Sequence, residues 1–130
     1  MERFTCLPHY DPVRGMEGSE RFYETPVGKC PSVTTILSGS RDNSGLESWR
    51  RAIGPDKADE ITRQASWRGD KHHGNIERFL TDGTEPGNCP IQRSYWNSTR
   101  KFLSTIEKPL AMESAIRHDE GYAGAFDAIA

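Results

Sequence analysis

The feature that constrains this chain most is the run from Asp56 to Leu80. Ala58, Ile61, Ala65, His72, Ile76 and Phe79 recur there at close to helical spacing. One long helix is therefore expected over Asp56–Leu80, with Gly69 and Gly74 as points of local disturbance. Pro55 suits a first helical turn, and Asp56 and Asp59 complement the positive end of the dipole. A chain of 130 residues with so long a helix has room for one domain and one core.

The flanking segments are shorter. Residues 1–19 carry Pro8, Pro12, Gly15 and Gly18 without a period and read as an irregular N-terminal arm. Glu20–Thr25 alternates as a strand, with Phe22 and Tyr23 on opposite faces, and Pro26–Lys29 reads as a turn. Pro31–Leu37 suits a short helix with Ser32 as N-cap, ended by Ser38–Asn43. Ser44 and Glu47 have capping-box spacing and predict a second helix through Leu46, Trp49 and Ile53. After a loop at Thr81–Pro90, Ile91–Ile106 is amphipathic. Ala111–Arg117 and Tyr122–Ala130 predict strands joined by a turn at Asp119–Gly121. Trp49 and Trp67 are expected in the core between helices, with base stacking as the less favoured role. The class is α+β or α/β.

Composition bounds the function. The chain is 34% hydrophobic and 28% charged, with a net charge of -2, and its pI is about 6.1 at a mean hydropathy of -0.77. No apolar run reaches membrane-spanning length, and the N-terminus has no signal-peptide pattern, so a cytoplasmic location is expected. A strongly basic nucleic-acid-binding domain is excluded, though a local basic patch is not. Cys6, Cys30 and Cys89 are odd in number and widely spaced, which predicts reduced thiols rather than a zinc knuckle or disulfide framework.

Two places could carry chemistry. His73 and Glu77 are four apart on the long helix and share a face, either as a site or as a solvated His–Glu pair. His72 lies on the apolar stripe and is expected to pack. Asp127 interrupts the apolar strand YAGAFDAIA, where a carboxylate must face water or find a partner. Magnesium favours a few hard carboxylate oxygens together with water and phosphate, and Glu113 on the preceding strand is a candidate second carboxylate. Arg50, Arg51, Arg63, Arg68 and Lys71 could track a phosphate backbone or form a solvated face.

Four stretches, taken in order, resemble the RecB-like branch of the PD-(D/E)XK nuclease superfamily, nearest to phage exonucleases and the mitochondrial genome-maintenance exonuclease group. Pro31–Leu37 is similar to P-S-V-T-x-I-L. Leu46-Glu47-Ser48-Trp49 with Gly54 and Ala58 is similar to L-x-x-W…G…A. Ala65–Gly69 with His73, Ile76, Glu77 and Leu80 is similar to A-x-x-R-G-T-x-x-H-x-x-I-E-x-x-L. Glu113 with Gly121–Gly124 and Asp127 is similar to E…G-Y-A-G-T-x-D. The resemblance covers residues 20–130 and departs from the pattern at Asp70 and His72.

It implies the N-terminal portion of a metal-dependent DNA exonuclease domain acting on single-stranded DNA, encoded by a phage and working in the host cytoplasm. His73 and Asp127 would be catalytic ligands of Mg²⁺ or Mn²⁺. Glu77 and Glu113 would support them, and Arg68 and Lys71 would hold nucleic acid. The family's D/E-x-K strand is not among these residues, so a complementing C-terminal nuclease polypeptide is the expected partner, from a split gene rather than a shortened chain. The contrasting expectation is an inactive nuclease remnant that serves as a DNA-binding or protein-interaction module.

Overall fold

A computed structural model describes residues 10–130. Its elements run β1 (Val13–Glu17), β2 (Glu20–Thr25), β3 (Gly28–Pro31), α1 (Val33–Ser40), α2 (Ser44–Ile53), α3 (Pro55–Asp82), α4 (Pro90–Leu103), β4 (Ala111–His118) and β5 (Tyr122–Ile129). The class is mixed α+β. The chain divides into a helical unit, residues 42–107, and a sheet unit formed by residues 10–41 and 108–130 among those described. No helix among the described residues is long and apolar enough to cross a membrane.

In the helical unit, Gly54 ends α2 at φ 90° and leads into Pro55 at the start of α3. Gly83, left-handed at φ 80°, closes α3 by donating its N–H to Phe79 O at 2.9 Å. The helix runs unbroken through Gly69 and Gly74. Its apolar side meets α4. The Phe79 ring stands edge-on to Trp96 at 5.2 Å, and Trp96, at 2% exposure, donates its indole N–H to Glu85 Oε2 at 2.8 Å. His72 packs near Tyr95 and approaches Thr99 Oγ1 at 3.4 Å, as its place on the apolar stripe predicts.

Three expectations for this unit need correction. Ser44 does not cap α2. Asn43 occupies that position, and the Ser44 N–H is taken by Asp42 Oδ1 at 2.9 Å. The α4 helix ends at Leu103, short of Ile106. Trp49 and Trp67 lie outside the core, at 38% and 46% exposure, and Trp96 is the tryptophan that fills it.

The sheet unit holds an antiparallel meander, β1-β2-β3, and an antiparallel ribbon, β4-β5. Residues 13–17, expected as part of an irregular arm, form β1 instead, and β3 begins where a turn was expected. Gly15 pairs with Phe22, and a Cβ at Gly15 would collide with the Phe22 ring, so the aromatic lies over the bare backbone of its neighbour. The N-terminal reading of residues 1–9, Cys6 included, falls outside the described residues.

Ser32 behaves as expected. Its Oγ accepts from the Thr35 N–H at 3.0 Å and caps α1. Arg21 holds that first turn on β2, with its carbonyl accepting from Ser32 N at 3.0 Å and its N–H donating to Thr35 Oγ1 at 3.0 Å. A parallel bridge from Ser32 to Ala123 connects this corner to β5. Tyr23, Cys30 and Ala123 form the small buried cluster beneath it.

Candidate functional site

The site residues read from the sequence fall on both units. On α3, His73 and Glu77 are exposed and share one side of the helix, four residues apart. Lys71 is exposed as well, while Arg68 is half-buried. On the ribbon, Asp127 and Glu113 are exposed. Of the β5 residues expected to share the Asp127 face, Ala123 is buried at 1%, whereas Ala125, Asp127 and Ile129 are exposed.

Within the sheet unit two of these residues stand at the same level of the ribbon. Met112 pairs with Ala128 and Ser114 with Phe126. The rung between those pairs is Glu113 and Asp127, and the hydrogen-bonded register skips it. The reason lies in Glu113, whose φ of 45° is the only positive value outside glycine among the described residues. A left-handed backbone there breaks the extended geometry a ladder needs. It also costs about 1–3 kcal/mol for a residue with a Cβ. The sequence signals the two carboxylates but not that they share a rung.

The neighbourhood anchors this rung. Ser114 Oγ both donates to the Tyr10 carbonyl and lies 2.9 Å from the Tyr10 N–H, and Ala115 N donates to the same carbonyl at 2.9 Å. Ser114 and Ala115, next to Glu113, are buried at 5% and 6%. The strained residue is thus held on its C-terminal side by a buried, hydrogen-bonded segment.

Two carboxylates fit half of a magnesium site, since Mg²⁺ is commonly held by one or two carboxylates with water and substrate phosphate completing the shell. Among the described residues no group of three His, Cys, Asp or Glu side chains converges as a complete protein cage. A cleft of about 420 Å³ in the same unit is lined by Arg21, Tyr23, Ile116, Tyr122 and Phe126 among others, and by neither carboxylate. Its wall is mainly apolar and carries no acidic side chain, which suits it poorly to a cation.

No protein-family model matches the chain, and no curated protein or solved structure matches it significantly.

Proposed function

We propose that the chain is part of a metal-dependent phosphodiesterase acting on single-stranded DNA, with Glu113 and Asp127 as the carboxylate half of its metal site. The observation that carries this reading is the Glu113–Asp127 rung. A left-handed backbone is kept at a carboxylate that stands level with a second carboxylate on the ribbon, and magnesium is commonly held by one or two carboxylates with water and phosphate. The resemblance of Gly121–Asp127 to the nuclease pattern supports it.

Bound Mg²⁺ or Mn²⁺ would lower the pKa of an attacking water and offset charge developing on the phosphate. Asp127 and Glu113 then act by holding oxygen donors at a fixed spacing on a ribbon. No D/E-x-K tripeptide occurs in the 130 residues, so full turnover is expected only with a polypeptide segment that carries one.

The test is cleavage of a labelled single-stranded DNA with Mn²⁺, by the chain alone and by the chain isolated with whatever accompanies it from its native host. Cleavage in the second sample, abolished by Asp127→Asn, supports the reading. Cleavage by the chain alone that survives Asp127→Asn contradicts it. Cleavage in neither sample, with DNA binding intact, favours the inactive binding module.

A further inference from the structure

From Asp59 to Lys71 not one residue of α3 is buried, although Ala58 and Asn75 on either side are buried at 0% and 3%. Trp67 lies in this bare stretch. At about 100° per residue, its side of the helix is opposite that of Ala58 and Ile76. The apolar side of the helix therefore has no claim on it, and a large aromatic is left at 46% exposure on the outer face.

Three of its companions on that face are cationic. Arg63, Lys71, Gly74 and Arg78 all fall within about 40° of the Trp67 line. Arg63, Lys71 and Arg78 are exposed, and the Arg78 guanidinium also donates to Asn75 Oδ1 at 2.6 Å. The row from Arg63 to Arg78 is about 22 Å long. It turns acidic only beyond Arg63, at Glu60 and Asp56, and Asp70 stands to one side. His73 and Glu77 lie about 80–120° around the same helix, so the row runs alongside the candidate catalytic edge of α3.

We propose that the outer face of α3 is a track for single-stranded nucleic acid, with a base stacked on Trp67 and the phosphates beside it held by Arg63 and Lys71. The chemistry matches what sequence-independent strand binding requires, an aromatic platform interleaved with cations. The choice of nucleic acid over another anionic partner rests on the phosphodiesterase reading.

Binding of a fluorescein-labelled oligothymidylate to the full chain, in EDTA and at low salt, tests the track without involving catalysis. Trp67→Ala should weaken binding about tenfold or more, and Trp67→Phe should retain most of it. Arg63→Gln and Lys71→Gln should each reduce the salt slope of log K by about 0.7. Because these side chains are exposed, circular dichroism should report unchanged helix content for every variant. Binding unaffected by Trp67→Ala, or no binding at low salt, overturns the track. So does a Trp67→Ala protein whose sedimentation mass falls while its DNA affinity is unchanged, which would assign the face to a second copy of the chain. Trp67-dependent binding supports the track whether or not Mn²⁺-dependent cleavage follows, so failure of the nuclease reading is read separately, in the cleavage assay.

Discussion

Glu113 stands opposite Asp127 on the β4–β5 ribbon, at φ 45°, on the one rung the register skips between Ala111 and His118. A chain selected only for stability would relieve that position with glycine, which adopts such a conformation without a Cβ penalty. Retaining a carboxylate there, level with another, is consistent with the proposed cation-binding role.

Glu113→Gly should accordingly stabilise the sheet unit by about 1 kcal/mol, while Glu113→Ala keeps the strain and should not. Urea denaturation in EDTA measures both. A Glu113→Gly protein that is less stable than the wild type would mean that the side chain supports the fold.

Ser32 caps α1 from a buried position, at 2% exposure, and its Oγ is shared among Thr35 N, Thr34 Oγ1 and Thr35 Oγ1. Ser32→Ala should cost about 1–2 kcal/mol. Ser44→Ala should cost far less, because the Ser44 hydroxyl does not cap α2. Paired denaturation curves distinguish the two serines.

Trp96 is the centre of the helical unit, and Trp96→Ala should cost about 3–5 kcal/mol. Its partner Glu85 adds a pH dependence. The indole N–H and then the Arg100 guanidinium hold the Glu85 carboxyl below its ordinary pKa of 4.5. The unfolded chain therefore takes up that proton first as pH falls. Stability from this contact is complete above about 4.5 and is lost through the lower folded value. Glu85→Gln should flatten that acid limb in thermal melts.

His72 gives a second limb at higher pH. Burial, and then the neighbouring His73 charge, hold its pKa below the ordinary 6.5. Protonation of the unfolded chain precedes that of the folded one, so stability should begin to fall as pH drops below about 6.5. His72→Leu should remove this limb and leave the Glu85 limb in place. A pH profile flat down to about 5 in the wild type would contradict the packed position of His72.

Much of the fold is legible because it follows from period and capping. The apolar spacing of α3 identifies its buried side, the PSVTTIL stretch identifies Ser32 as a cap, and the turn at Asp119–Gly121 identifies the ribbon. The β1 strand is illegible because four of its five residues are exposed, and Gly15 looks like a loop residue until Phe22 is seen lying over it. Capping-box spacing points to Ser44, whereas the Asp42 carboxylate takes the Ser44 N–H in an Asx turn and Asn43 holds the N-cap position. The exposed place of Trp67 is legible too: its angle relative to Ala58 and Ile76 puts it opposite the apolar side. The carboxylates of the candidate site are visible in the sequence. Their opposition is not, since it depends on strand register and on a single backbone dihedral at Glu113.

The most direct test of the central claim is a Mn²⁺ titration followed by the electron paramagnetic resonance signal of the free ion, on the wild type and on Glu113→Gln and Asp127→Asn. The account predicts saturable binding by the wild type that each substitution weakens by an order of magnitude or more. Binding of equal strength in all three proteins, or no saturable binding in any, would contradict it.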